Sequence, residues 1–304
     1  MLKDKNMKYL ILGSAGQIGL ELCEFLKKEG HEVLTFDVED DQIQDLRIKG
    51  MVDSRVSESD FVMFLAFDVG GSRYLKKYQH TYDFIDNNAR LMVHTFQALK
   101  SYRKPFIFAS SQMSNMSYSP YGVAKALGES YTRALNGIIV KFWNVYGPEH
   151  NLEKSHVITD FIIKAKDYGD ITMMTDGTEE RQFLHAEDCS NALMILSQKY
   201  NEIDRDKELH ITNFKWESIL EVALIISEEI PCRITPGKDT DTVQLNKRNE
   251  PDPYVLNFWE PKILLKEGIK RIINEMDNND LTVKEFKNTI NNTIYDNRDL
   301  IKDN

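Results

Sequence analysis

The sequence has little cysteine. Its three thiols, Cys23, Cys189 and Cys232, are far apart and form no Cys-x-x-Cys pair. That spacing excludes a disulfide framework and points to reduced thiols in a cytoplasmic protein. The seven histidines include no His-x-x-x-His pair and join no cysteine cluster, so no metal site is expected. Positive charge is in deficit, with 38 Lys and Arg against 48 Asp and Glu and a formal net charge of −10. A surplus of that sign argues against non-specific nucleic-acid binding. No apolar run reaches the ~18 residues of a membrane span, so no membrane association is expected. The opening "MLKDKNMKYLILG" enters a strand-like run too short for a signal peptide, and residues 1–6 read as a disordered leader.

What is present is alternation. Short apolar runs at 8–13, 31–37, 60–67, 105–111 and 137–147 read as strands. Between them lie helical patterns, among them Ile18, Leu22, Phe25 and Leu26 on one face, a long stretch over 82–102, and a segment after Pro120. This βαβ order predicts an α/β fold, a doubly wound parallel sheet with helices on both faces. After Pro148 the pattern loosens. Residues 1–148 plus 185–213 read as a dinucleotide-binding domain of the Rossmann type, and 149–184 plus 214–276 as a smaller, C-terminal substrate-binding lobe. One helix is expected near 155–168, a strand at 208–213, and two helices within 214–276. Residues 277–304, rich in Asn, Asp and Lys, read as a polar tail with a peripheral helix and disorder.

"GSAGQIG" follows the first strand and opens the first helix. Gly13 allows the tight turn, Gly16 lets the backbone approach a pyrophosphate, and Gly19 lets helix and strand pack closely. Gln17 and Ile18 sit where the helix N-terminus supplies N–H groups and dipole to phosphates. Asp37 ends the second strand, where a carboxylate accepts the adenosine ribose hydroxyls and repels a 2′-phosphate. NAD is therefore expected over NADP. Tyr121 and Lys125 stand one helical turn apart after a Ser119 N-cap and a Pro120 at N1. A free tyrosine ionises near ~10, and a neighbouring ammonium favours the phenolate, so this pair is an acid/base device.

Together, G-x-x-G-x-x-G and Y-x-x-x-K resemble the extended short-chain dehydrogenase/reductases that act on nucleotide sugars. "QDLR", "FLAFDVGG", "NVYGP" and "RQFLHAEDC" are similar to further motifs of that family, and "AFDVGG" resembles GDP-mannose 3,5-epimerase-like members. The likeness covers about residues 8–275. It implies that Tyr121 is the acid/base, that Lys125 assists it and holds the nicotinamide ribose, and that Ser111 places the sugar oxygen, with Ser110 as an alternative. It implies adenine contacts at Asp45 and Leu46, and a cofactor wall of Leu65, Ala66, Phe67 and Asn88. Gly71, Ser72 and Asn144 would meet the sugar nucleotide, and Arg181 and Arg248 its diphosphate. Dimerisation through the 82–102 and Tyr121 helices is a further expectation of the resemblance.

Two family devices are missing. An Asp-Glu pair serves elimination of water and a cysteine serves epimerisation beside a ketone; here Gln112 and Met113 hold those places, and neither exchanges a proton. What remains is hydride transfer at a sugar carbon, most often C4. The expected activity is a nucleotide-sugar 4-epimerase, with a 4-dehydrogenase or 4-ketosugar reductase as alternatives and a silent NAD-binding sensor as a third. Ser111 and Tyr121 are ten residues apart where the family has more than twenty, which should reshape the sugar pocket.

Overall fold

The computed structural model describes residues 6–149, 154–243 and 249–278. The first half runs β1 (Lys8–Leu12), α1 (Gln17–Lys28), β2 (Glu32–Phe36), α2 (Asp53–Glu58), β3 (Phe61–Phe64), α3 (Ser72–Tyr78), α4 (Tyr82–Tyr102), β4 (Phe106–Ser111), α5 (Pro120–Ala134) and β5 (Ile138–Phe142). Then follow β6 (Asn144–Tyr146), α6 (Val157–Tyr168), β7 (Asp170–Thr172), β8 (Glu180–Arg181), β9 (Phe183–His185), α7 (Ala186–Gln198) and β10 (Leu209–Ile211). The chain continues with β11 (Glu217–Ser218), α8 (Ile219–Glu229), β12 (Arg233–Thr235) and α9 (Leu265–Asn278).

Six strands pair in parallel in the order β2-β1-β3-β4-β5-β10. The order reverses between β1 and β3, which is the switch point where an open α/β sheet binds its ligand. Side chains alternate across the sheet. Tyr9 and Ile11 enter the core shared with α1 and α7, while Leu10 and Leu12 enter the core under α4. Both faces are covered, so the strands read as unbroken apolar runs. On the α4 side Gly128 of α5 lies against Phe108, where an added Cβ would stand 2.2 Å from the ring. Helix α5 can therefore lie close on β4.

A second core joins α6, α8, α9, β7 and β9, with Ile162, Ile171, Val222, Ile226 and Ile269 among its buried members. Val255 and Trp259, between α8 and α9, are buried instead with the core of the main sheet.

The sequence suggests one strand over 137–147, and the structure divides it. After β5 the Asn144 amide donates to the Gln182 carbonyl at 3.2 Å, and β6 pairs with β9 away from the main sheet. The step at Trp143 carries Tyr146 into the second core. Strands β7, β8, β11 and β12 are two or three residues long, too short to show a period in sequence. The expected leader (except residue 6) and, from residue 279 on, the polar tail lie outside the described residues. Among the described residues no helix is long and apolar enough to cross a membrane, and no cluster of three His, Cys, Asp or Glu is placed to hold a metal.

Candidate active site

The carboxyl ends of the strands around the switch point open into a cleft of about 870 Å³. Its floor is the β1–α1 turn. Gly13 has φ +88°, and a Cβ there would sit 2.7 Å from the Ala66 amide nitrogen, so both the turn and the approach of β3 demand glycine. Gly16 differs. Its φ of −72° suits any residue, and a Cβ would meet only the Gly13 carbonyl at 3.4 Å. The protein leaves room at Gly16, and that room faces the cleft at the N-terminus of α1. Asp37, just past β2, closes this end. Its carboxylate accepts the amides of Ala15 and Glu39, both at 3.0 Å, which locks it against the glycine turn.

The far wall is β4 and α5. Ser119 caps α5 by accepting the Gly122 amide at 3.2 Å, with Pro120 in the first turn. Tyr121 and Lys125 are thereby turned inward, 8% and 3% exposed. Burial pushes the Tyr121 phenol up to about 12, and a hydrogen bond from Ser111 partly offsets it. Burial pulls the Lys125 ammonium down to about 7, against the attraction of Glu129. The ammonium donates to the Ala109 carbonyl at 2.7 Å. The two adjacent serines separate by role. Both line the cleft, but Ser110 donates to Glu129 at 2.5 Å, whereas Ser111 reaches Tyr121 and accepts the Met113 amide at 3.1 Å.

A smaller cavity of about 140 Å³ lies beside the cleft and shares Val145 and His156 with it. Gly71, Ser72, Asn144 and Arg181 all line it.

A model of the NAD dependent epimerase/dehydratase family matches residues 9–212. The chain belongs to that family. A putative UDP-glucose 4-epimerase of Methanocaldococcus jannaschii is 33% identical over 181 residues, 54% of this chain and 55% of that protein. The chain thus spans about half the length of that relative. Among solved structures, an epimerase of Methanothermobacter thermautotrophicus has a TM-score of 0.79 at 21% identity, covering 90% of this chain and 93% of that one. UDP-glucose 4-epimerase of Thermotoga maritima, solved with UDP-glucose, has a TM-score of 0.75 at 19% identity, covering 90% and 99%. These two likenesses show the shared fold.

The family's cofactor is NAD, and the cleft suits it. The open space at Gly16 beside the α1 N-terminus fits a pyrophosphate, and Asp37 stands where a ribose would end. Gln17, Ile18, Leu46, Leu65, Ala66 and Phe67 also line the cleft. Asp45 lines it too, but Arg47 grips its carboxylate through Nε and Nη2, both at 2.9 Å, and holds it below the usual carboxylate range. An adenine contact there has to share Asp45 with that guanidinium.

Asn88 corrects the expectation. It is fully buried and does not line the cleft. Its side chain accepts the Asp68 amide at 2.8 Å and donates to the Asp68 and Phe84 carbonyls, which braces the turn after β3. Its neighbour Asn87 borders the cleft instead. Arg181 is engaged by Asp241 and by the Glu180 carbonyl. Arg248 lies outside the described residues.

The sequence reading passed over a pair at the junction of the two cavities. His156 Nδ1 lies 2.6 Å from Glu149 Oε1, and its amide donates to the same carboxylate at 3.0 Å. Burial would lower the His156 pKa, but the Glu149 charge and hydrogen bond reverse this and hold it above its ordinary value. The two residues are seven apart, bridged by the chain between β6 and α6, and no local periodicity announces them. Trp143 and Lys154 also face the cleft unforeseen.

Proposed function

We propose that this protein is a nucleotide-sugar 4-epimerase that moves a hydride at C4 of the sugar, with Tyr121 as acid/base. The observation that carries this reading is the position of Ser111, Tyr121 and Lys125. They stand in a dinucleotide cleft adjoining a second cavity lined by Gly71, Ser72, Asn144 and Arg181. The UDP-glucose held by the Thermotoga relative supports a nucleoside-diphosphate sugar as substrate.

NAD, when bound, would supply a hydride acceptor and the positive charge of its nicotinamide ring. Ser111 orients the sugar hydroxyl toward the phenol. Tyr121 takes its proton as the carbon is oxidised and returns it when the keto sugar is reduced on its other face. Lys125 holds the ribose hydroxyls and favours the phenolate. Arg181 and Asn144 retain the nucleotide while the sugar turns. Stopping after one half-reaction would give a 4-dehydrogenase or a 4-ketosugar reductase. The exposed apolar face of α4 and α5, with Ile85, Val93, Val123 and Leu127, supports a homodimer through these helices.

The His156–Glu149 pair favours a second reading. A group that exchanges protons at the sugar end would let a 4-keto sugar be deprotonated at the carbon next to the ketone. That supplies chemistry Gln112 and Met113 cannot.

The test is incubation with NAD and a panel of UDP- and GDP-sugars in deuterated water, followed by NMR of the sugars. Epimerised product with no deuterium at carbon is expected for the first reading. Deuterium beside C4 selects the second. No conversion and no exchange across the panel would remove both.

A further inference from the structure

We propose that Glu129 is the counter-charge of Lys125, a positioning residue that keeps the ammonium beside Tyr121 in its charged form. This rests on the acid/base reading of Tyr121 and Lys125, and it adds a residue that touches neither cofactor nor substrate.

Tyr121, Lys125 and Glu129 follow one another at intervals of four along α5, so they share its inward face. All three are buried, and Glu129 is only 4% exposed. A buried carboxylate and a buried ammonium each require compensation. Among the described residues Lys125 touches no carboxylate. Its single hydrogen bond among the described residues goes to the Ala109 carbonyl, and the faces of Phe67 and Phe108 lie 3.7 and 5.3 Å from its ammonium.

The alternative partner for Glu129 is Lys141 on β5, 1% exposed. That lysine is already taken. Its Nζ donates to Glu208 at 2.5 Å and reaches Asn115 at 3.4 Å, while Glu129 stands 3.8 Å away. Glu208 in turn meets His210 Nε2 at 2.8 Å. The indole N–H of Trp143 can only donate, and it donates to His210 Nδ1 at 3.1 Å. The imidazole proton therefore sits on Nε2, and His210 is neutral. Two lysines and two glutamates thus balance: Lys141 with Glu208, and Lys125 with Glu129. The remaining contacts of Glu129 are the neutral Ser110 and the half-exposed Arg133, whose solvent-facing charge is screened. Burial pulls the Lys125 ammonium down to about 7, and Glu129 is the one charge that opposes this.

The experiment follows the Lys125 ε-carbon resonance by NMR in protein labelled with 13C-lysine, assigned by its loss in K125M, and titrated with pH in wild type, E129Q and E129Q/K141M. An opposite charge within about 4–6 Å moves a pKa by about one unit or more. E129Q is expected to titrate lower than wild type by at least that amount. The double variant also removes the buried Lys141 ammonium, which stands 3.8 Å from Glu129, and is expected to keep the lowered midpoint. An unchanged midpoint in either variant, or its return to the wild-type value in the double variant, would overturn the proposal. Should E129Q fail to fold, the double variant decides alone. The readout needs no turnover, so an enzyme inactive on every sugar tested would leave this result standing.

Discussion

The ammonium of Lys125 lies 3.7 Å from the centre of the Phe67 ring and 5.7 Å from that of Tyr121. Phe67 also meets Tyr121 edge-on, with ring centres 5.7 Å apart. One side chain after β3 thus touches both members of the proposed acid/base pair on α5. A ring face favours a cation, so Phe67 holds Lys125 in place and in charge at the same time. The phenol itself receives only the Ser111 hydrogen bond against its burial. Tyr121 is accordingly a protonated phenol at neutral pH, and in the proposed reaction it would draw on the positive charge of a bound nicotinamide for activation.

Tyr121→Phe should therefore fold, bind NAD and turn over substrate about 10²- to 10⁴-fold more slowly, the range for a positioned acid/base group. Calorimetry with NAD and rate measurement with the sugar nucleotide identified by the panel check the two halves. Full turnover in this variant would exclude Tyr121 as the base.

The Lys125 value sets a pH dependence of stability. A lysine that takes its proton near 10.5 in the unfolded chain and at about 7 in the native protein leaves the unfolded state with more protons between those values. Stability attributable to Lys125 then rises with pH from about 7 to 10. Tyr121, moved the other way to about 12, lowers stability only above pH 10. Melting temperatures of wild type and Lys125→Met across pH 6 to 10 should differ in slope, with the variant flatter over the upper part. Parallel curves would contradict the burial of a titrating lysine.

The glycines of the β1–α1 turn should separate folding from binding. A Cβ added at Gly16 meets only the Gly13 carbonyl oxygen, so the melting temperature of Gly16→Val should stay near wild type while NAD affinity falls at least about tenfold, as bulk enters the pyrophosphate space. Gly19→Ala puts a Cβ 2.0 Å from the Gly13 carbonyl oxygen and should instead destabilise the fold by about 1–3 kcal/mol. Thermal melts and NAD titrations of both variants distinguish the cases. Equal NAD affinity in Gly16→Val and wild type would place the pyrophosphate elsewhere.

Local patterns made much of this legible. The α5 cap, the α4 boundaries and the glycine turn each depend on residues within one or two turns of each other, and the structure places them as expected. Asn88 was misread because a polar residue on an amphipathic helix can face a ligand or brace a neighbouring loop, and only its three backbone partners decide. The Ser110 and Ser111 ambiguity is of the same kind. Both serines meet α5, Ser110 at Glu129 and Ser111 at Tyr121, and the sequence does not say which meets which. His156 and Glu149 escaped notice because they meet through a connection with no period. Short strands such as β8 and β11 exist only through their partners.

Arg181 faces the smaller cavity but is held by Asp241. A diphosphate must share or displace that carboxylate, and the charge-assisted bonds to the guanidinium fork still favour it. Arg181→Ala should weaken nucleotide-sugar binding about 10- to 100-fold, with NAD affinity unchanged. Titration of UDP-glucose into the NAD-bound protein reads this directly. An equal loss of NAD affinity would show that the substitution acts through the fold.

His156 offers the sharpest separation between the two readings of the reaction. Burial lowers its pKa, but the Glu149 carboxylate outweighs this, holds it above its ordinary value and fixes the ring from behind at 2.6 Å. If proton exchange next to the ketone occurs, His156→Gln should abolish deuterium uptake at that carbon and leave oxidation at C4, read as reduction of NAD, within about tenfold of wild type. If the enzyme only inverts C4, the same variant should change binding of the sugar nucleotide and nothing in the isotope pattern. The pH profile gives an independent check. Exchange in which neutral His156 takes the carbon-bound proton rises as pH passes its raised pKa, whereas Lys125, pulled down to about 7, loses over the same range the charge that supports the Tyr121 phenolate. Exchange and hydride transfer that rise and fall together with pH, and survive the substitution together, would assign both steps to Tyr121 alone.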